Sequence, residues 1–145
     1  MKKNLINPTV FFNASVIIAG FISINGGSAK LLKYVQKKKI KGIISEIIYD
    51  EVMRKSEKIG LSSDEIKRKL FLIFDNIKKA PDENLVKKFN DIVIDLGDSH
   101  VLASSIEVNA DFLVTLDKKH LLILNQKIEE LKIVSPKQLI ERLNY

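Results

Sequence analysis

The chain contains no cysteine and no tryptophan, and only two histidines, three prolines and six glycines in 145 residues. Without cysteine it can form neither disulfides nor thiolate metal sites, which fits a reducing compartment. The two histidines, His100 and His120, do not have the spacing of a helical metal-binding pair, and the glycines form no phosphate-binding loop. A nucleophile-elbow motif is also missing. The sequence therefore excludes thiolate metal sites and offers no motif for P-loop or nucleophile-elbow chemistry.

Long apolar runs are missing as well. The longest, 16–22, is interrupted by Gly20 and is far too short to cross a bilayer. The N-terminal segment MKKNLINPTVFF carries two lysines, but asparagine and proline interrupt its apolar residues, and it has no leader-like cleavage site. We therefore expect a soluble, cytoplasmic protein with no membrane partner. No repeat, linker or low-complexity tail is present, so the sequence predicts a single domain over residues 1–145.

The composition is that of a globular protein with a basic surface. Apolar residues make up 46% of the chain, the net charge is +6 and the pI is about 9.4. Lysines cluster in one short stretch, at Lys30, Lys33, Lys37, Lys38, Lys39 and Lys41. Such a patch favours a polyanionic partner and attracts a phosphate backbone without base specificity. The alternative is a lysine-rich surface that reflects codon usage and carries no function.

Short apolar segments alternate with helical patterns along the chain. The strand candidates are 9–12, 40–44, 112–115 and 133–134. Helices are predicted from Ser28 to the lysine run, from Ser45 to about Ile59, from the capping box at 62–65 through Ile77, from Gly97, briefly from Lys118, and from Ser135. Residues 84–95 are compatible with a helix or an extended segment. This alternation predicts an α/β fold with a parallel sheet covered on both faces.

Two polar side chains follow predicted strands directly. Asn13 comes after the first strand, and Asp117 lies two residues beyond the strand that ends at Thr115. Because ligands bind beyond the carboxyl ends of parallel strands, both residues are expected at the same edge of the sheet. Asp117 has the alternative role of a helix N-cap. The hydroxyls of Ser15 and Thr115, nearby in sequence, are expected either to position a ligand or to satisfy the turn backbone.

Two further acids lie on predicted helices. Glu51 shares the apolar stripe of Ile47 and Ile48, where a carboxylate has to be neutral, paired or metal-bound unless it reaches solvent at the stripe edge. Asp98 lies three and four positions before Val101 and Leu102, with a helix N-cap or a first-turn acid as its alternative role. Three carboxylates and one amide at one edge would give an oxygen-rich site for a hard divalent metal. His100 is expected to be exposed, and His120 either contacts a phosphate or lies on the surface.

At this point the motifs resemble a known family. The segments NPTVFFNASVIIAG, SEIIYDEV and GDSHVLASSIEVNADFLVTLDKKHLL are similar, in order, to the acidic motifs of PIN domains. The resemblance spans nearly the whole chain. It implies a three-layer α/β/α Rossmann-like fold with a central, mostly parallel sheet, and a Mg²⁺- or Mn²⁺-dependent endoribonuclease acting on single-stranded RNA. The chain is most similar to stand-alone prokaryotic PIN proteins, including toxin components, which implies an antitoxin partner and, by analogy, a homodimer.

The family's four acidic positions correspond here to Asn13, Glu51, Asp98 and Asp117. The resemblance implies that these residues hold the metal and carry catalysis. Asn13 departs from the pattern, because an asparagine keeps the oxygen but loses the charge of the family's aspartate. Weaker metal affinity is expected to follow.

Two alternatives remain open from the sequence. The first, favoured by Asn13, is a catalytically inactive PIN-like module that binds RNA or a partner protein. The second is a phosphoacceptor receiver-like domain, which also gathers acids at a sheet edge but requires paired adjacent acids and a late lysine that this chain does not offer.

Overall fold

The computed structural model of the protein describes residues 7–75 and 77–144. Within these residues five strands form one all-parallel sheet in the order β3-β2-β1-β4-β5. The strands are β1 (Thr9–Phe12), β2 (Lys41–Ser45), β3 (Ile77–Lys78), β4 (Phe112–Val114) and β5 (Lys132–Val134). The central strand β1 is almost wholly apolar and buried, as expected for a parallel sheet with both faces covered. The predicted strands are thus confirmed to within one residue at each end.

Helices connect the strands. They are α1 (Ala14–Ile22), α2 (Gly27–Gln36), α3 (Glu46–Met53), α4 (Ser56–Ile59), α5 (Ser63–Ile73), α6 (Glu83–Phe89), α7 (Ser99–Glu107) and α8 (Pro136–Leu143). Five of them begin at a side-chain cap, namely α1, α3, α5, α6 and α8. The Ser45 hydroxyl accepts the backbone N–H of Ile48 at the start of α3. Reciprocal capping boxes at Ser62 and Ser135 begin α5 and α8.

The strand order reverses direction at β1. The chain steps from β1 outward to β2 and β3, then returns to the other side of β1 for β4 and continues to β5. Because crossovers between parallel strands are right-handed, the connections that lead from β1 toward β3 lie on one face of the sheet. The connections that lead toward β4 and β5 lie on the other face. In agreement, α1, α2, α3 and α5 pack against one another, whereas α6 packs against α7. The crevice between the carboxyl ends of β1 and β4 is therefore a topological switch point, where such sheets bind ligands.

The core packs closely on both sides of β1. The Phe12 and Phe74 rings meet edge to face with centroids 5.5 Å apart. Gly42 in β2 allows α2 to approach, because a Cβ at that position would lie 2.7 Å from the Val35 side chain. Gly60 adopts a left-handed φ of 82° and ends α4, as predicted for the helix stop.

Several helix and strand predictions were wrong. The helix predicted from Ser45 to Ile59 ends at Met53 and resumes as α4, because no side chain in the described segment 53–58 is fully buried to hold it. Ile77 belongs to β3 and not to the stripe of α5. The two-residue strand β3 went unpredicted, since two residues show no periodicity.

Two further segments, residues 92–94 and the stretch after Lys118, also differ from the predictions. Residues 92–94 form turns after α6, with Ile94 exposed, so the extended alternative for this segment is wrong. No α-helix starts at Lys118; a series of turns leads into the 3₁₀ turn Leu122–Leu124.

Among the described residues, no single helix has the length and apolarity needed to cross a membrane. Helices α1 and α2 would meet these criteria only as a pair, and the chain bends by 101° between them. Residues 1–6, the start of the segment expected to lack a secretory leader, lie outside the described residues.

Candidate metal centre

The side chain of Asn13 is fixed at the carboxyl end of β1. Its backbone N–H donates to the Val114 carbonyl of β4 at 3.0 Å, so the two strand ends are joined there. The Asn13 Oδ1 atom accepts the backbone N–H of Ala14 at 2.9 Å, which caps α1. Its Nδ2 atom donates to the Thr115 hydroxyl at 2.8 Å. The protein therefore already occupies both polar atoms of this buried amide.

The loop after β4 is folded around Asp117. The Thr115 hydroxyl accepts the backbone N–H of Asp117 at 3.1 Å, and the Ser15 hydroxyl accepts that of Leu116 at 3.2 Å. Asp117 Oδ1 in turn accepts the backbone N–H of His120 at 2.9 Å. Ser15 and Thr115 thus satisfy turn backbone, one of the two roles expected for them, and Asp117 caps a turn, not an α-helix.

Asp98 enters the same edge from the start of α7. The preceding Asp95 side chain takes the local capping role by accepting the Gly97 N–H at 2.9 Å. Ser99 donates its hydroxyl to Asn90 Oδ1 at 2.7 Å, which ties the start of α7 to the end of α6. Within the described part of the chain, Asp98 Oδ2 is buried and has no hydrogen-bond partner. Neighbouring residues thus hold the start of α7 in place, and Asp98 Oδ2 accepts no hydrogen bond from a described residue.

Asp98, Asp117 and His120 come together as a close group. One ligand atom from each lies within 4.8 Å of the others. Burial, and then the nearby negative charges of Asp117 and Asp95, raise the pKa of Asp98 from 3.8 to about 6, although His120 and His100 oppose this effect. Two carboxylates this close repel each other when ionised, and a cation between them relieves the repulsion.

Glu51 lies outside this close group of described residues and pairs with a histidine. His100 Nε2 lies 3.1 Å from Glu51 Oε1, and His100 is only two residues along α7 from Asp98. The His100 side chain is 15% exposed, so the expectation of an exposed histidine was wrong. Glu51 is half-buried beside the buried Val52, in agreement with its predicted place at an apolar stripe. The carboxylate is thus paired, one of the states expected for it there.

The residues present fit a divalent cation. Two carboxylates and an imidazole supply oxygen and nitrogen donors within one small volume, and the unpartnered, buried Asp98 Oδ2 is the atom that a cation would satisfy. The structure thus brings Asp98 and Asp117 together, connects Asn13 to Asp117 through Thr115, and connects Glu51 to the helix of Asp98 through His100.

Part of the lysine cluster lies away from this edge. Lys41 begins β2 and pairs with Thr9, at the amino end of the sheet. The rise of about 3.3 Å per strand residue places that end about 13 Å from the carboxyl edge. Lys38 and Lys41 line a cavity of about 280 Å³ there, together with Lys78. Lys30, Lys33 and Lys37 line a separate cavity along α2. The basic surface is therefore divided, and one part of it lies at the opposite end of the sheet.

Sequence reasoning missed His100 and undervalued His120. Neither histidine has a neighbour at metal-ligand spacing in the sequence, and each becomes informative only through a partner brought close by folding. His120 did carry one local signal, since its position three residues after Asp117 allows the side-chain contact that a turn brings about.

An all-parallel, doubly wound sheet with clustered carboxylates at its switch point defines an α/β protein with a cation-type site. A model of the PIN domain family matches residues 9–119, and the chain belongs to this family. PIN domains are generally nucleases and typically depend on a divalent metal, and the acidic cluster of this chain agrees with that property. No curated protein sequence matches the chain significantly.

Two solved structures share the fold. The first is a chain of VapBC2 from Rickettsia felis, whose crystal structure contains a bound DNA fragment from the VapBC2 promoter. It superposes with a TM-score of 0.62 at 16% identity, and the match covers 88% of this chain and 98% of that one. PAE2754 from Pyrobaculum aerophilum superposes with a TM-score of 0.60 at 16% identity, covering 97% and 90%. At this identity the likeness is one of fold, and it agrees with the predicted PIN-like architecture.

Proposed function

We propose that the protein is a Mg²⁺- or Mn²⁺-dependent endoribonuclease that cleaves single-stranded RNA. The observation that carries this proposal is the pair of Asp98 and Asp117 at the switch point, with one buried carboxylate oxygen left without a partner. Membership of the PIN family supports nuclease chemistry. The positive net charge of +6 supports a nucleic-acid substrate.

In this proposal Asp98 and Asp117 hold the divalent ion. The ion would supply an activated water and offset the negative charge that develops on the phosphoryl oxygens. Thr115 and Ser15 fix the loop that carries Asp117, because their hydroxyls accept its backbone N–H groups. Glu51 pairs with His100 on α7 and would help to position the helix that carries Asp98. The separate lysine surfaces would attract the RNA backbone without sequence preference.

The decisive experiment is cleavage of single-stranded RNA with Mn²⁺, with Mg²⁺ and with a chelator. We expect cleavage only with a divalent ion, and a loss of about 10-fold or more in Asp117→Ala. Asn13→Asp restores a fourth carboxylate and is expected to cleave faster. The exposed Asp91 supplies the control, since Asp91→Asn removes one charge outside the close group. The proposal is abandoned if neither the protein nor Asn13→Asp cleaves RNA and Asp117→Ala changes nothing.

Asn13 favours a second candidate, an inactive PIN-like module that binds RNA or a partner protein. The amide brings no charge, and both of its polar atoms already bond within the protein. Calorimetric titration with Mn²⁺ separates the two candidates. A catalytic site binds the ion with heat that disappears in Asp98→Ala, whereas RNA binding that persists without any divalent-ion binding supports the inactive module.

We further propose that the protein is cytoplasmic and acts as the toxin component of a toxin–antitoxin pair, with an antitoxin partner and a homodimeric state. The structural likeness to a chain of VapBC2 supports the antitoxin. Exposed apolar side chains such as Ile24 and Leu72 offer area for protein contacts. Growth arrest on expression of Asn13→Asp, relieved by a co-expressed neighbouring gene product, tests the partnership. Light scattering of the purified protein tests the dimer.

A further inference from the structure

His120 is held beside the paired carboxylates by two contacts to the same residue. Its backbone N–H donates to Asp117 Oδ1 at 2.9 Å, and its ring Nδ1 atom lies 3.1 Å from Asp117 Oδ2. A ring nitrogen of His120 also lies within 4.8 Å of a carboxylate oxygen of Asp98. The turn after β4 therefore places the His120 imidazole beside the carboxylates of Asp98 and Asp117.

The spacing between the ring and the carboxylate suits two ligands on one ion. Ligand atoms at right angles on an ion about 2.1 Å away lie about 3 Å apart. The observed 3.1 Å between His120 Nδ1 and Asp117 Oδ2 agrees with that separation. A hydrogen bond gives a similar distance, so His120 has a rival role in which it only orients Asp117.

The remaining side chains leave room for a nitrogen ligand. Asn13 brings no charge, and Glu51 lies outside the close group, where it is paired with His100. Among the described residues, the close group is therefore completed by an imidazole and not by a third carboxylate. Imidazole binds transition-metal ions well, whereas Mg²⁺ prefers oxygen ligands and retains its water.

We infer that His120 is a direct metal ligand and that this site selects transition-metal ions such as Mn²⁺ and Co²⁺ over Mg²⁺. The inference rests on the proposed function only in requiring that the site bind a divalent ion. It assigns to one residue a preference that a set of carboxylates alone would not give, because imidazole is a ligand of transition-metal ions, whereas carboxylates and water suit Mg²⁺ as well as Mn²⁺.

The test measures binding of Mg²⁺, Mn²⁺ and Co²⁺ by calorimetry, in the full chain and in three variants. His120→Asn is expected to lose about 10-fold or more in Co²⁺ affinity, less in Mn²⁺ affinity, and about 2-fold or less in Mg²⁺ affinity. His120→Asp supplies a third carboxylate and is expected to shift the preference toward Mg²⁺. Asp91→Asn, at an exposed acid outside the close group, is expected to leave the order of the three ions unchanged.

A spectroscopic measurement checks ligation directly. Pulsed electron paramagnetic resonance on bound Mn²⁺ is expected to show coupling to a ¹⁴N nucleus in the unmodified chain and in Asp91→Asn, but not in His120→Asn. An orienting role for His120 instead predicts no nitrogen coupling and an equal loss for all three ions. That outcome overturns the inference and leaves a metal-dependent nuclease standing. If no divalent ion binds to the unmodified chain, the inference and the proposed function both fail.

Discussion

Replacing Asp98 with asparagine should stabilise the metal-free protein while removing its metal binding. Asp98 is partly buried beside Asp117, and burial together with this neighbouring charge raises its pKa from 3.8 to about 6. At pH 7.5 the carboxylate is therefore ionised in a place that disfavours the charge. Asp98→Asn keeps the size of the side chain and removes the charge, so the crowding of negative charge in the absence of metal is relieved.

The magnitude follows from the pKa difference between the folded and unfolded chains. The interval from 3.8 to about 6 corresponds to about 3 kcal/mol at neutral pH. Because the carboxyl is partly exposed, solvent screening reduces the expected gain to about 1–2 kcal/mol. In a chain of this length that gain raises the melting temperature by about 3–6 °C.

The sign of the pH dependence is fixed by the direction of this pKa change. The folded protein binds the Asp98 proton more tightly than the unfolded chain does, so its stability falls as pH rises from 3.8 through about 6. The stability difference between Asp98→Asn and the unmodified chain should therefore be largest above pH 6 and fall to about half at pH 5.

Thermal unfolding in a chelator at pH 7.5 and at pH 5 measures this difference. Asp91→Asn is the matched control, because Asp91 is exposed and is not among the charges that act on Asp98. Adding Mn²⁺ at about 100 times its Kd should stabilise the unmodified chain by about 2.7 kcal/mol and leave Asp98→Asn unchanged. An Asp98→Asn protein that melts at or below the unmodified chain at pH 7.5 in chelator would falsify the reasoning about charge crowding.

Three further predictions follow from other contacts. Gly42→Ala places a methyl group against Val35 and should cost about 1–3 kcal/mol by chemical denaturation, and an unchanged denaturation midpoint would contradict this. Ser62→Ala removes the capping box of α5 and should cost about 1 kcal/mol, whereas Ser62→Asn should retain most of it. Asn13→Asp loses the hydrogen bond donated to Thr115 and adds charge near Asp117, so in chelator it should melt at a lower temperature than the unmodified chain. With Mn²⁺ bound, the variant should have the higher melting temperature of the two. A higher melting temperature for the variant in chelator would contradict this account.

Local sequence signals predicted most of the secondary structure. The apolar segments at 9–12 and 112–115 became β1 and β4, and the capping residues Ser45, Ser62 and Ser135 begin helices as predicted. These signals work because the chemistry of a cap or an apolar strand lies within a few residues of chain. Where packing over a longer distance decided the outcome, as at the break between α3 and α4, local periodicity was misleading.

The site was predictable only in part. Asn13 and Asp117 could be placed at one edge because each follows a strand, and parallel strands end at a common edge. The partner of Glu51 was not predictable, since His100 lies 49 residues away and reaches it only when α7 packs into place. The proximity of His120 to Asp98 was not predictable either, because it depends on how the loop after β4 and the loop before α7 are folded.

By itself, then, the sequence determined the alternation of helices and strands, the family motifs and the acids that follow them, because each depends on short-range chemistry. Tertiary structure decided which of those acids meet. It brought ligand atoms of Asp98, Asp117 and His120 within 4.8 Å of one another, paired Glu51 with His100, and separated the lysines of the amino edge from the carboxylates. The physical reason is that distances between side chains far apart in sequence are set by the order of the strands and the packing of the core, which no local pattern contains.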